Sequence, residues 1–444
     1  MPQLRPEINA WYLWSLAVGL VISGEYFGWN YGWGAAGTVG FLLTTLIVAV
    51  LYVAFIFSFT ELTTAIPHAG GPFAYALRAF GPVGGLIAGY ATLVEFLFAP
   101  PAIAAALGGY IHFLFAQIDA LAVGITAYVI FVWINMLGVK QAVRFEFCVT
   151  VLAVGELVVF MAVVAPGFAL DNFVANPMPA GFMGVLAAIP FAIWFFLAIE
   201  GVAMAAEEVK DPHTTIPRGY VGGILTLVVL ALGVMIFAGG VGDAARLASV
   251  DYPLPEAMSM VVGRQSGWIH MLVAIGLFGL LASFHGIILA CSRQIFALSR
   301  AGFLPAPLAG LHPTRGTPRP ALIATGLLGV IALLSGRTSE LITMSALGAI
   351  VMYVVSMLSL FRLRKIEPGL SRPFAAPLYP VTPLVALLLS VLSLGVIVYF
   401  NPLISAIFAA GFAGAWCYYR VTAAQRAAAA PDGLLQAARA YTKS

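Results

Sequence analysis

The sequence predicts an all-α integral membrane protein with twelve transmembrane helices, and three observations carry that prediction. Of its 444 residues, 62% are hydrophobic and only 9% are charged, far too apolar for a soluble domain of this size. The apolar residues come in runs of about twenty, the length that crosses a hydrocarbon core. Taking the runs in order leaves only Arg246, Arg264 and Arg337 of the 21 Lys and Arg residues on one side. That bias makes the poor side external and places both termini in the cytoplasm, the membrane being the cytoplasmic (inner) one.

The spans fall at 11–33, 38–60, 82–112, 119–138, 145–166, 182–206, 219–240, 267–297, 320–336, 340–361, 379–400 and 402–420. A short polar lead (1–10), without a cleavable signal pattern, runs directly into the first. The Ala-rich tail 421–444 carries scattered basic residues and receives no function. Cys148, Cys291 and Cys417 are scattered thiols with no metal spacing and no disulfide framework, and packing accounts for them.

Two spans depart from what a lipid-facing helix needs. Val21–Gly34, VISGEYFGWNYGWG, sets Ser23, four glycines, Asn30 and Glu25 inside the first apolar run. Glycine weakens a helix interior, and a carboxylate at mid-membrane depth costs about 2.5–3.5 kcal/mol on insertion scales. Backbone leaves the helix at that depth only where protein or a water-filled cavity satisfies it. The reading is a broken helix whose freed backbone groups, with Glu25, line a substrate site; the alternative is a helix end with Glu25 in the interface. The sixth span, Ile189–Val209, repeats the pattern: Trp194, Phe195 and Phe196 precede Ala198 and Ile199, then Glu200 and Gly201. A buried carboxylate beside aromatic faces binds cations by charge and cation–π attraction, although packing explains any one aromatic alone. Trp194 and Glu200 lie about 120° apart on a straight helix, so they meet one cavity only if the helix opens near Ala198.

The two interrupted spans are five spans apart, and an odd repeat length inverts the second repeat. Residues 11–166 and 182–362 are therefore read as inverted five-helix repeats with a site at the bilayer midplane, and 379–420 as two peripheral helices. These last two could support a homodimer, but no pattern in them specifies one.

Other polar groups lie at depth. Glu95, followed by Pro100-Pro101, which should bend or loosen its helix, is either a third site carboxylate or a helix–helix hydrogen-bonding residue. Glu156 offers the same choice and is read as structural. Phe284-His285-Gly286 puts an imidazole in the eighth span, where it either carries a coupling proton or bonds a neighbouring helix. Glu207 and Glu208 sit beside Lys210 and Asp211 at a solvated end and are read as structural. No Walker loop, metal spacing or nucleophile triad occurs; the sequence predicts no enzyme, cofactor, metal or nucleic-acid partner.

Three loop stretches, ELTTAIPHAGGPFAY (61–75), AAEEVKDPHTTIPRG (205–219) and SRQIFALSRAGFLPAPLAGLHPTRGTPRP (292–320), closely resemble signatures of the amino acid–polyamine–organocation (APC) transporter superfamily, with the likeness covering residues 11–362. The resemblance implies a LeuT-like 5+5 inverted repeat with discontinuous helices one and six, and transport by alternating access. Amino acid carriers of this superfamily typically hold the substrate carboxylate on a Gly-rich loop in helix one. Here SGEYFGWN puts Glu25 in or beside that cradle, where it would repel a carboxylate and attract an ammonium. ISGEYFGWN with FFLAIEGVAMAAEEV looks most like the ethanolamine permease group. Carried over residue by residue, Glu25, Trp194 and Glu200 are the foremost site candidates, Trp194 and Glu200 also as gating residues. Position 95 faces the site in related members. Ser23, Gly24, Tyr26, Phe195, Ala198, Ile199, Phe284 and His285 complete the expected substrate-binding set.

Some proton-coupled relatives carry a Lys in helix five where this chain has Ala153, so coupling is left to Glu25, Glu95, Glu200 or His285, or to membrane potential alone. The potential favours cation entry by about 2.3 kcal/mol per 100 mV, roughly fiftyfold. The expected partners are a small cationic amine such as ethanolamine, a coupling proton and the lipid bilayer. An amino acid or polyamine exchanger and a membrane amine sensor are the competing readings.

Overall fold

The computed structural model describes residues 8–68, 70–137 and 142–423. Most of the polar lead, Ala69, Lys140, the side chains of Arg144 and Glu207, and the tail from 424 lie outside the described residues. Within them the chain is helical. The single strand-like contact is a parallel bridge between Ile8 and Val209.

The first span is broken as its composition demands. Helix α1 (Ala10–Val21) gives way to one short turn, α2 (Ser23–Tyr26), and then to extended backbone at Phe27. Helix α3 (Tyr31–Ala65) contains the end of span one and all of span two, joined across Gly37 at φ 69°. A Cβ at Gly37 would stand 2.2 Å from the Asn176 carbonyl oxygen, so both the dihedral and the close approach require glycine. Helix α4 (Pro72–Leu114) changes direction at Gly81, φ 71°, and keeps helical dihedrals through Pro100-Pro101. The expected disruption therefore lies at Gly81. Before the prolines, α4 is held against a long neighbouring helix, α15 (Thr338–Ile366), where Ser345 donates to the Glu95 carbonyl at 2.7 Å.

Helices α5 (Ala120–Leu137), α6 (Ala142–Val164) and the short α7 (Leu170–Phe173) follow. The sixth span is also broken. It runs as α8 (Gly181–Ala187) and α9 (Ile189–Trp194), opens, and resumes as a 3-10 segment, Ile199–Glu208. Ala198, at the opening, has φ 77°. A non-glycine residue in that region costs about 1–3 kcal/mol and persists only where the surroundings enforce it.

Helix α10 (Pro212–Gly240) leads into a loop with two short helices, α11 (Ala244–Leu247) and α12 (Pro253–Val262). Helices α13 (Gly267–Arg300), α14 (Arg319–Leu333), α15 (Thr338–Ile366), α16 (Val381–Phe400) and α17 (Pro402–Val421) complete the chain. Among the described residues nine helices are long and apolar enough to cross a membrane, and α1 and α14 are shorter apolar helices. The broken segments sit inside the bundle: α1 packs on α6, α10 and α13, while α4 packs closely on α15. In contrast, α17 presents nearly all of its surface outward.

Candidate functional site

The two interruptions meet. A Cβ built on Gly24 would lie 2.4 Å from the Trp194 carbonyl oxygen, and one on Gly28 would lie 2.5 Å from the Trp194 indole nitrogen. The glycines that weaken the first span thus allow its opened backbone to touch that of the sixth. Trp194 stacks edge-on to Phe27 (ring centroids 5.5 Å), and Phe195 lies nearly parallel to Trp29 at 5.7 Å. Among the described residues the Trp194 indole N–H has no partner.

Three carboxyl groups are buried on the elements of the site: Glu25 in the first opened segment, Glu200 just past the second opening and Glu95 on α4. Glu25, Glu95 and Glu200 are each 0% exposed. Among the described residues neither oxygen of Glu25 or of Glu95 has a hydrogen-bond partner, and Glu200 uses only one oxygen. The carboxyl groups of Glu95 and Glu200 are close neighbours. The Tyr353 hydroxyl on α15 lies 2.9 Å from Glu200 Oε2 and 2.9 Å from the Tyr52 hydroxyl. With one hydrogen each, Tyr353 donates to the carboxylate and accepts from Tyr52. No Lys or Arg forms an ion pair with any of the three among the described residues. A buried, unpaired carboxylate costs several kcal/mol, so the arrangement calls for a cation or for protons. The C-terminal end of α1 adds its partial negative charge at the same place.

The backbone of the break is largely engaged already. The Ser23 amide donates to Ser283 Oγ (3.1 Å), whose hydroxyl donates to the Gly19 carbonyl (2.6 Å). The Glu25 amide donates to the Ile22 carbonyl (3.0 Å), and the Tyr26 carbonyl accepts from Tyr110 (2.9 Å). Ser283 joins α1 to α13, a role absent from the sequence reading, which selected its neighbours Phe284 and His285. The signal was present as Gly276, Gly279, Ser283 and Gly286, a small-residue stripe with one helical face toward the first span.

One residue on from that stripe is 100° around the helix. Phe284 accordingly packs on Tyr128 and Phe131 of α5, and His285 on Phe131. Neither belongs to the acidic cluster. Tyr26 also points away: its hydroxyl lies 2.6 Å from Glu156 Oε2 on α6. The Ala198–Ile199 opening separates Trp194, which covers Phe27 and Gly28, from Glu200, which faces Tyr353 and Glu95. Among the described residues no group of His, Cys, Asp and Glu could hold a metal ion.

The ends of the bundle are tied down. At one, Glu208 approaches Arg293 at 3.7 Å, while Ile8 exchanges backbone hydrogen bonds with Glu208 and Lys210. At the other, the Asn30 amide donates to the Leu247 and Val250 carbonyls (2.6 and 2.9 Å), and Tyr31 donates to Asp251.

A bundle of membrane-spanning helices whose centre holds two opened segments and unpaired acids, sealed from solvent, is suited to enclosing a polar solute within a bilayer. That is the architecture of a multi-pass membrane transporter. The amino acid permease family model matches residues 13–428, and the chain belongs to that family. It is 27% identical over 390 residues to an uncharacterized transporter of Rhizobium meliloti (85% of this chain, 83% of the relative). It is 27% identical over 411 residues to a branched-chain amino acid permease of Bacillus subtilis (87% and 86%). A methylthioribose transporter of the same organism is 26% identical over 408 residues (86% of each chain).

Proposed function

We propose that this chain is a secondary transporter that brings a small primary amine lacking an α-carboxylate, ethanolamine or a close analogue, across the cytoplasmic membrane. The observation that carries this reading is Glu25, fully buried in the first opened segment with both oxygens unpartnered. An ammonium supplies the missing charge and up to three hydrogen bonds, and the faces of Trp194 and Phe27 offer cation–π support. A substrate carboxylate would meet the Glu25 carboxyl, and the Ser23 and Glu25 amides that would otherwise cradle it are already engaged. Alternating access then proceeds in a twelve-span, five-plus-five inverted repeat with both termini cytoplasmic, opening alternately past the ties at either end of the bundle. That one relative is named for methylthioribose supports a family site that is not confined to amino acids.

The second reading, an amino acid carrier, draws on the family and on the relative named as a branched-chain amino acid permease. In that case Glu25 would hold a proton or turn from the substrate. Labelled ethanolamine uptake into proteoliposomes, competed with choline, putrescine, alanine and leucine, separates the two. The amine reading expects ethanolamine alone to compete strongly and Glu25→Gln to abolish uptake in a folded protein. Equal competition by alanine or leucine, or normal transport by Glu25→Gln, overturns it.

A further inference from the structure

We propose that Glu156 on α6, together with the Tyr26 phenol, forms a proton-binding site that couples proton movement to rearrangement of the opened first segment. The pair lies beside, not within, the acidic cluster. The inference rests on the chain being a carrier and not on which solute it carries.

One phenol hydrogen faces two acceptors. The Tyr26 hydroxyl lies 2.6 Å from Glu156 Oε2 and 3.2 Å from the Ala153 carbonyl oxygen. Glu156 is 3% exposed, and its Oε1 packs against Gly276 without a hydrogen-bond partner. With Glu156 ionised, the phenol hydrogen goes to Oε2, leaving a buried charge whose one side-chain donor is Tyr26. With Glu156 protonated, the carboxyl donates to the phenol oxygen and the phenol hydrogen turns to the Ala153 carbonyl. Both hydrogens then have acceptors without any heavy atom moving. Only one O–H bond is made or broken: water on one face supplies the proton and water on the other receives it.

The surroundings leave the proton as the partner. The titratable groups facing Glu156 are Tyr26, Tyr110 of α4 and, beyond Tyr26, Glu25. From α13 it meets the backbone at Gly276, and Gly279 lies against the Tyr26 ring. Titratable groups on other elements around α6 are engaged elsewhere: Glu256 of α12 with Arg246 and Arg264, and Tyr220 of α10 with the Glu200 carbonyl. Among the described residues no Lys, Arg or His pairs with Glu156.

Coupling follows from where Tyr26 sits. It belongs to the opened segment, adjoins Glu25, and its carbonyl is held by Tyr110. A hydrogen bond to an ionised carboxylate is roughly twice as strong as one between neutral groups. Protonation exchanges that one bond for two neutral ones, both to α6, and removes a buried charge, so protonated Glu156 holds the segment in place and ionised Glu156 favours its rearrangement toward water.

The test uses the full-length protein in proteoliposomes, with whichever of labelled ethanolamine or leucine the wild type accumulates as probe. With the membrane potential clamped at zero, an inward gradient of about one pH unit should sustain about tenfold accumulation for one proton per solute. Glu156→Gln, which cannot exchange a proton, should lose that accumulation and the pH dependence of uptake while retaining solute counterflow. A pH dye inside the vesicles should report solute-linked acidification for wild type and none for the variant. Gradient-driven accumulation by Glu156→Gln, or wild-type transport without acidification, overturns the proposal. If Glu156→Gln does not fold, Tyr26→Phe decides: a displaced pH profile for uptake supports the pair, and a profile identical to wild type overturns it. Leucine accumulation in place of ethanolamine would defeat the amine reading and leave this test intact.

Discussion

Gly24 stands directly against Trp194: a Cβ on the glycine would lie 2.4 Å from the Trp194 carbonyl oxygen and 3.2 Å from the Phe195 Cα. Both neighbours are backbone, so neither can rotate away. We expect Gly24→Ala to force the two opened segments apart, at about 1–3 kcal/mol, the usual cost of overpacking. Transport should fall more steeply than stability, because the displaced backbone carries Glu25. Gly155→Ala is the control, since nothing lies within 4 Å of a Cβ there. It should leave the melting temperature in detergent and the uptake rate nearly unchanged. Equal behaviour of the two variants would mean the contact does not matter.

Much of this junction was legible in the sequence, because glycines and a carboxylate inside an apolar run serve a continuous lipid-facing helix poorly. The opening at Ala198 could be read the same way, from aromatics on one side and Glu200 on the other. What could not be read was direction. Tyr26, adjacent to Glu25, sends its hydroxyl to α6, and Phe284 and His285 turn to α5 while Ser283 faces the first span. A one-residue step on a helix rotates a side chain by 100°, and no local pattern reveals which face meets which neighbour. The partners Tyr353 and Tyr110 come from helices remote in sequence, and nothing near Glu200 or Tyr26 announces them.

Ser283 bridges two backbone groups that no other side chain among the described residues serves. Removing its hydroxyl leaves the Ser23 amide unpaired and takes one hydrogen bond from the Gly19 carbonyl. Leaving a buried donor unsatisfied costs about 1–3 kcal/mol. We expect Ser283→Ala to lose stability in that range, measured by thermal unfolding, with weakened solute binding because the opened segment loses its anchor on α13. A melting temperature equal to wild type would show that water replaces the hydroxyl.

Tyr52 and Tyr353 act in series on Glu200. Tyr353→Phe removes the donor to Oε2, a bond to a charged group worth about 1.5–3 kcal/mol. Tyr52→Phe removes only the second link and should cost less. Because Tyr52 reaches the carboxylate through Tyr353, the double variant should be little worse than Tyr353→Phe alone. Additive losses in a double-mutant cycle would show two independent contributions.

Asp251 lies in the loop between α11 and α12, outside the membrane-spanning segments. Burial raises its carboxyl above the usual 3.8, and hydrogen bonds from Tyr31 and Thr338 offset only part of that. A carboxyl raised in the folded state favours folding when protonated. Its contribution is fully present below the unfolded value and is lost as pH rises through the raised folded value. Thermal stability should therefore show a component that declines with rising pH across that window. Asp251→Asn, which cannot ionise, should remove this component. An unchanged pH slope in the variant would assign the component to other groups.

Two ion pairs at the two ends of α15 should behave differently. Glu61 is 2% exposed at its side chain and takes a two-pronged contact from Arg364 (2.8 and 2.6 Å), with Arg372 at 3.3 Å and the Ala376 amide at 2.7 Å. Removing this carboxylate strands two guanidinium groups and one amide. The loss should fall short of the 3–5 kcal/mol of a fully buried pair, because Arg364 retains access to water, and we expect about 2 kcal/mol for Glu61→Gln. Arg337 and Glu340 lie 3.1 Å apart, but both are about half exposed, so Glu340→Gln should change stability by less than about 0.5 kcal/mol. Salt separates them further. Raising ionic strength should erase whatever Glu340 contributes and leave most of the Glu61 effect, since screening reaches exposed charges first. Thermal unfolding of both variants at low and high salt makes the comparison, and a Glu61→Gln effect that vanishes in high salt would mean that the cluster is solvated.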